Sequence, residues 1–305
     1  MATIYTHASA NIRRTWLLVS AMFILIIAVF WAASYAYQSP AILWFGVGLS
    51  LLMNIASYWY SDKLVLAMAR AKPVSERENP ELHRIIENLA ITGGLPKPRV
   101  YFVDDPAPNA FATGRNAARA VVAVTRGLME RLDRSELEGV LAHELSHIGN
   151  RDMLVSTIVV VLAGMVAIIS DMFLRMTWFG GLRSNDRDSR AGGILMAVAL
   201  IGAILAPIAA MLIRLAVSRR REFLADASGV LLTRYPEGLA SALRKISADP
   251  HRLQTATNAT AHLYFENPFK ADTQAGERRT PWIVKIFMTH PPVEDRIRAL
   301  QGMNI

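Results

Sequence analysis

Four long apolar stretches alternate with polar segments along the chain and give the first picture of its organisation. The stretches cover residues 16–37, 41–60, 154–174 and 191–213, and Asp171 is the one charged residue inside them. A helix needs about 20 residues to cross the hydrocarbon core of a bilayer. The pattern therefore predicts an integral membrane protein with four transmembrane helices, arranged as two hairpins.

Basic residues around the first two stretches predict the orientation of the first hairpin. Arg13 and Arg14 precede the first stretch, no Lys or Arg separates it from the second, and four basic residues follow within 61–77. Loops rich in Lys and Arg tend to stay in the cytoplasm, so both termini are predicted to be cytoplasmic. The loop before residue 191 is an exception, because it carries four arginines although this topology places it on the opposite side. A cleaved signal peptide is the alternative, but the apolar core of a signal peptide spans only about 7–15 residues.

Two polar blocks, residues 61–153 and 214–305, surround the second hairpin and are predicted to form the two parts of one domain. In the first block, apolar positions at helical spacing followed by two glycines predict a helix over residues 80–92. Short β-branched runs between turn residues predict three strands, at residues 99–103, 111–113 and 120–125. The second block is predicted to be helical, with a loose polar stretch over 249–280. The fold class is thus mainly α with a small sheet.

The segment Ser135–His147 carries the candidate chemistry. Its apolar residues recur at helical spacing after an acidic capping pattern, which predicts a helix. His143 and His147 then project from one face, where their imidazoles can converge on one zinc ion. Glu144 lies beside that metal and can act as the general base on the attacking water. The alternative is a helix with two unrelated histidines and a solvated glutamate.

Two histidines leave zinc short of a third protein ligand. Glu222 follows the fourth apolar stretch, and the two predicted spans between them place it on the same side of the membrane as His147. Asp226, one helical turn further, can accept the free ring N–H of a zinc-binding histidine. Spacing alone allows Glu222 equally well to be the ion-pair partner of a nearby arginine. Arg296 is predicted to pair with Asp226 or Glu294.

The amino-acid composition is typical of a membrane protein and excludes some kinds of catalytic and metal site. Hydrophobic residues make up 52% of the chain, charged residues 19%, and the mean hydropathy is +0.26, so much of the surface needs lipid rather than water. The net charge of +8 is explained by cytoplasmic loops that face anionic headgroups, without nucleic acid as a partner. The absence of cysteine excludes thiol nucleophiles and cysteine-ligated zinc.

Four motifs occur in an order found in a known family: NAFATG from Asn109, HELSH from His143, EFLAD from Glu222 and THPP from Thr289. The chain thereby resembles, over nearly its whole length, the HtpX family of bacterial membrane zinc metalloproteases, which is related to the CAAX prenyl endopeptidases. The resemblance implies a zincin-type α+β protease domain attached to the four spans. It also implies one Zn²⁺ bound by His143, His147 and Glu222, with Glu144 catalytic.

The resemblance further implies a location in the bacterial inner membrane and quality control of misfolded membrane proteins alongside a membrane-bound AAA protease. His290 is predicted to position substrate or to stabilise the oxyanion, the alternative being a histidine packed at a helix boundary. The strand over 120–125 is predicted to be exposed and to bind an extended peptide by strand addition. Val122, Val124 and Asn109 are therefore the predicted substrate contacts.

Two other functions compete with a peptidase. An inactive scaffold with a structural zinc would have no need of Glu144. A zinc hydrolase for non-peptide bonds would have no need of an exposed strand. We therefore expect hydrolysis of internal peptide bonds in membrane proteins or unfolded proteins, on the cytoplasmic side. His147 and Glu222 both lie close in sequence to apolar stretches, so a substrate anchored in the same bilayer reaches them at high effective concentration.

Overall fold

The computed structural model of the protein describes residues 4–36, 38–159, 219–257, 260–268 and 291–303. Over these residues the chain is mainly helical with one small mixed sheet, as predicted. The helices are α1 (Ile4–Ala36), α2 (Pro40–Met68), α3 (Pro80–Thr92), α4 (Arg126–Arg131), α5 (Arg134–Gly149), α6 (Arg219–Thr233), α7 (Pro236–Ala248) and α8 (Val293–Gln301). The strands are β1 (Lys72–Pro73), β2 (Arg99–Val103), β3 (Ala110–Thr113) and β4 (Val121–Thr125).

Helices α1 and α2 pack against each other as an N-terminal hairpin. The chain reverses at Gln38, whose φ of 51° is left-handed, and Pro40 begins α2, where a helix has no use for the missing N–H. Several residues that α2 buries are small or polar, namely Gly46, Ser50, Ser57 and Ser61. A Cβ atom on Gly46 would lie 2.3 Å from the Cβ of Phe30, so glycine is what permits this close approach of the two helices.

The outer surface of the hairpin is apolar. Trp31, Trp44 and Leu52 expose 61%, 71% and 65% of their surface. By length and composition α2 can cross a bilayer, and only 22% of its most apolar window is buried, unlike the core helix of a soluble domain. Helix α1 holds a shorter apolar stretch, Val19–Trp31. The first two predicted spans thus coincide with a hairpin whose outer surface is suited to lipid.

The third and fourth apolar stretches lie mainly outside the described residues. The structure describes the helical residues 152–159, which include the beginning of the third stretch. The number of four spans therefore stays a prediction, and α2 is the one helix among the described residues that meets the requirements for a span.

The sheet has the strand order β1-β2-β4-β3. Strand β2 pairs in parallel with β4, while β3 pairs antiparallel with β4 and β1 antiparallel with β2. The three predicted strands are present, each within one residue of its predicted bounds. The prediction of an exposed strand over 120–125 is wrong, however, because β4 has a hydrogen-bonded neighbour on both sides. Every residue of β4 is also buried, including Val122 and Val124, so neither residue is available to a substrate.

The two faces of the sheet are covered by different parts of the chain. On one face, Val65 and Leu66 in the last turn of α2, and Ala69 directly after it, form an apolar cluster with residues of β2, β3 and β4. Helix α2 thus runs from the apolar window directly into the core below the sheet. The other face packs on α3 and α5, and α5 also contacts α6 and α7. This second face positions the candidate site.

Candidate metal centre

Helix α5 is held in place at its start and along its length. Asp133 accepts a hydrogen bond from the backbone N–H of Glu136, whose carboxylate accepts one from the N–H of Asp133, so the predicted capping box is present. Glu136 also accepts hydrogen bonds from Ser241 and Lys245 on α7. A Cβ on Gly229 of α6 would lie 2.9 Å from the backbone nitrogen of His143, so glycine permits α6 to approach α5 closely.

That close approach brings three candidate ligands together. The Nε2 atoms of His143 and His147 are 3.1 Å apart. Glu222 on α6 places one carboxylate oxygen 3.7 Å from Nε2 of His143 and the other 3.8 Å from Nε2 of His147. The potential ligand atoms of the three residues lie within 4.8 Å of one another. Two imidazoles and one carboxylate, with spacing set by two rigid helices, fit a divalent metal ion of the zinc type.

His143 is fixed from behind by a buried ion pair. Its Nδ1 lies 2.8 Å from Oδ1 of Asp226, and Arg296 donates to both carboxylate oxygens of Asp226, at 2.7 and 2.9 Å. Burial lowers the pKa of His143 to about 4, which favours the neutral imidazole that binds metals. Burial alone would raise the pKa of Asp226, but the charge and hydrogen bonds of Arg296 outweigh it and lower this pKa to about 2. Arg296 thus pairs with Asp226 and not with Glu294.

His147 has a different partner, which sequence reasoning missed. Its Nδ1 lies 3.4 Å from Oδ2 of Asp152, the first residue of the helical segment that follows α5. Burial disfavours a charged imidazole here, but the hydrogen bond to Asp152 and the negative charges of Glu222 and Glu144 outweigh it and raise the pKa of His147 to about 9. The negative charges of these carboxylates also favour a metal cation at Nε2 of His147. Each histidine therefore has a carboxylate at Nδ1 and presents Nε2 towards Glu222, the arrangement typical of metal sites.

Little in the sequence indicates that Asp152 contacts His147. It follows His147 by five residues, so it does not share the helix face that the histidines occupy. The chain reverses direction between them, since Arg151 adopts a left-handed φ of 56°. Helical periodicity could not foresee this contact.

Glu144, the predicted general base, follows His143 on α5 and is 2% exposed. The negative charge of Glu144 is one of the interactions that raise the pKa of His147. A buried carboxylate beside the metal ligands is chemically able to accept and release a proton at the site.

The segment around Phe265 closes one side of the site, although the sequence predicted a loose stretch there. The Phe265 ring stands edge-on to the imidazole of His143 at a centroid distance of 5.0 Å, and its backbone N–H donates to the carbonyl of Ala110 on β3. The Asn109 side chain donates to the carbonyl of Glu266 and accepts from its N–H. Asn109 is buried, and these hydrogen bonds position the segment, while its role as a substrate contact stays a prediction. His290 lies outside the described residues.

Comparison with known proteins identifies the family. The model of peptidase family M48 matches residues 76–304. A protease HtpX homolog of Syntrophobacter fumaroxidans is 49% identical over 257 residues, covering 84% of this chain and 87% of the relative. A protease HtpX homolog of Caldanaerobacter subterraneus is 39% identical over 307 residues and 99% of each chain.

A solved structure also resembles the protein in fold. The crystal structure of Ste24p from S. mikatae matches with a TM-score of 0.51 at 18% sequence identity, over 97% of this chain and 66% of that chain. This likeness concerns the fold alone. The family match and the identity to full-length relatives settle the assignment: the chain belongs to peptidase family M48 and, within it, to the HtpX proteases, and it is a membrane-bound metallopeptidase.

Proposed function

We propose that the protein is a zinc-dependent endopeptidase that cleaves membrane proteins close to the cytoplasmic surface of the bacterial inner membrane, as part of the removal of misfolded chains. The observation that carries this proposal is the convergence of His143, His147 and Glu222 beside Glu144. The site lies in a domain whose core includes the end of the apolar helix α2.

In this proposal His143, His147 and Glu222 hold the metal. A zinc ion held there would supply Lewis-acid chemistry for the carbonyl and for the attacking water. Glu144 takes the proton from the attacking water and delivers it to the leaving amine. Asp226 and Asp152 keep Nδ1 of the two histidines occupied, so that both present Nε2 to the metal.

The proposed substrate class follows from the attachment of the site to the hairpin. Helix α2 continues without a break from its apolar window to Val65 and Leu66 in the core below the sheet. On the other side of the site, Asp152 contacts His147 and opens the helix that leads into the third apolar stretch. These connections support a site held at a fixed height above the bilayer, where a membrane-anchored chain arrives at high effective concentration.

The experiment compares one cleavable sequence in two forms, anchored in liposomes and soluble, with the protein reconstituted in the same liposomes. The proposal predicts faster cleavage of the anchored form, and the Glu144→Gln variant gives the background rate for both. Equal rates for the two forms would remove the case for membrane-protein substrates. The sheet domain is the part of the chain that contains strands β1–β4 and helices α3–α8. Trypsin added from the outside of inside-out membrane vesicles should digest this domain, and protection would contradict the cytoplasmic orientation.

A further inference from the structure

Arg115 occupies an unusual position where the hairpin meets the sheet domain. It lies in the turn between β3 and β4, and its guanidinium carbon is 4.1 Å from the ring centroid of Trp59 and 6.0 Å from that of Tyr58. Its Nη1 atom is buried and has no hydrogen-bond partner in the structure. A buried, unpaired guanidinium nitrogen is costly unless something accepts its hydrogen bonds.

The turn that carries Arg115 is well fixed. The side chain of Asn116 accepts a hydrogen bond from the N–H of Arg119 and so caps the 3₁₀ turn Ala117–Arg119. Just before the turn, the hydroxyl of Thr113 is 3.0 Å from that of Thr157 in the helix after Asp152. The guanidinium is thus presented by a rigid turn.

Arg115 lines two cavities beside the end of the hairpin. The first has a volume of 460 Å³, and its lining includes Trp16, Tyr58 and Arg151. The second has a volume of 580 Å³, and its lining includes Lys63, Arg99 and Arg119. Either cavity has room for a phosphate group with part of its glycerol ester.

The charges around these cavities are almost all positive. Asp62 is the one acidic residue that lines them. It forms an ion pair with Arg99, whose Nη2 lies 3.1 Å from the Asp62 carboxylate. Within the described part of the chain, no carboxylate forms a salt bridge with Lys63, Arg115 or Arg119. A cluster of cations with so little counter-charge favours an anion.

The position of the cluster indicates where that anion comes from. Trp16 and Tyr58 stack at a centroid distance of 6.1 Å, and with Trp59 they mark the end of the apolar part of the hairpin. Tryptophan and tyrosine concentrate at the headgroup level of a bilayer. An anion at Arg115 therefore lies where lipid phosphates lie, with apolar helix surface below it for the acyl chains.

We propose that Arg115, together with Lys63 and Arg119, binds the phosphate of an anionic glycerophospholipid between the hairpin and the sheet domain. The acyl chains of this lipid lie along the exposed apolar surface of α2, and Trp59 covers its headgroup. The bound lipid joins the hairpin to the turn between β3 and β4, and thereby helps to set the height of the domain above the membrane.

The test measures lipid binding to the full-length protein in a neutral detergent, by native mass spectrometry and by the shift in thermal unfolding temperature. Phosphatidylglycerol should bind and raise the unfolding temperature, whereas phosphatidylcholine at the same concentration should do so much less. Arg115→Gln and Arg119→Gln should each weaken phosphatidylglycerol binding about fivefold, since one basic residue near an anionic headgroup contributes about that much. Arg244→Gln, which removes an exposed arginine from α7, should leave binding unchanged.

Arg119 is included because the structure gives its side chain no aromatic contact among the described residues. If Arg115 served only as a structural clamp on Trp59, Arg115→Gln would lower the unfolding temperature without changing its response to lipid, and Arg119→Gln would have no effect on binding. That result would overturn the proposal. An equal response to inorganic phosphate would show a site for free phosphate and would also overturn it. Since no cleavage is measured, the outcome is independent of the proposed peptidase mechanism.

Discussion

The N-terminal hairpin and the sheet domain differ in the side chains that they expose. Both bury apolar residues, such as Met22 and Ile26 in the hairpin and Val122 in the domain. In the hairpin, Ser50 and Ser57 are fully buried at the helix contact while Trp44 and Leu52 face outwards. In the sheet domain the valines of β4 are fully buried, and an exposed large side chain such as Ile91 is an isolated case. Large apolar side chains therefore often face outwards along the hairpin but rarely in the domain, because the hairpin is suited to lipid and the domain to water.

The buried polar groups of the two regions differ as well. Those of the hairpin are neutral hydroxyls, such as Ser50, whose Oγ is 3.5 Å from the carbonyl of Phe23. Those of the domain include full charges arranged in chains, such as Arg296, Asp226 and His143. A polar group inside the hairpin aids close packing of helices, whereas a charge inside the domain orients a metal ligand.

The largest expected effect is the loss of stability when Arg296 is replaced. Arg296→Met removes the cationic partner of the buried Asp226 carboxylate and should destabilise the domain by about 3–5 kcal/mol. The control Arg298→Met removes an exposed partner of Asp295 from the same helix and should cost at most about 1 kcal/mol. Chemical denaturation monitored by tryptophan fluorescence measures both. Similar values for the two variants would show that the buried pair has no special importance.

A matched pair of outward-facing residues tests the contrast between lipid and water directly. Leu52 on α2 and Ile91 on α3 are 65% and 71% exposed. Leu52→Arg should cost about 2.5–3.5 kcal/mol of membrane insertion, because its position is near the centre of the predicted span. Ile91→Arg should stay within about 0.5 kcal/mol of the parent. The fraction of each protein that resists alkaline extraction from membranes is the measurement, and equal fractions would contradict a membrane-spanning α2.

A smaller effect, on metal affinity, is expected from the two carboxylates that contact Nδ1 of the ligand histidines. Asp152→Asn and Asp226→Asn should each weaken metal binding about 10–100-fold, since each removes the carboxylate that faces Nδ1 of a ligand histidine. Competition with a chromogenic chelator gives the affinities. Asp295→Asn, on the exposed side of α8, is the control and should bind metal like the parent. Unchanged affinity in Asp152→Asn would mean that its contact with His147 has no role in metal binding.

The smallest effect is expected at a neutral hydroxyl of the hairpin. Ser50→Ala should change stability by about 0.6 kcal/mol, the average for polar contacts between membrane helices. Thr125→Val in the domain should cost about 1–3 kcal/mol, because Thr125 accepts hydrogen bonds from Asn109 and Leu128 and donates one to Ala107. Unfolding in detergent measures both, and a larger cost for Ser50→Ala would reverse the comparison.

Local sequence patterns predict much of this fold. The helix over 80–92 has its predicted bounds, because Asn79 caps its first turn and two glycines follow its end. The metal helix α5 was predictable from its capping box and apolar spacing. What these patterns lack is information about strand neighbours. The unbroken apolar run of β4 was a sign of an interior strand, since an exposed strand normally alternates apolar and polar residues.

Two parts of the site depend on contacts that no local pattern records. Phe265 reaches His143 through a backbone pairing with Ala110 that is distant in sequence, in a segment whose polar composition predicted a loose stretch. Asp152 reaches His147 only because the chain turns at Arg151. The placement of Asp226 behind His143 was expected from the helix face that it shares with Glu222.

The central proposal is that Glu144 supplies the general base and Glu222 a metal ligand, so removing either carboxylate should abolish activity for different reasons. The measurement is zinc content and cleavage rate, taken together, for the parent, Glu144→Gln and Glu222→Gln. We predict that Glu144→Gln keeps one zinc per chain and loses cleavage by about 10²–10⁴-fold, the usual contribution of a general base. Glu222→Gln should lose zinc affinity and activity together. A Glu144→Gln protein that cleaves within a few-fold of the parent, or a Glu222→Gln protein that binds zinc as the parent does, would contradict the proposal.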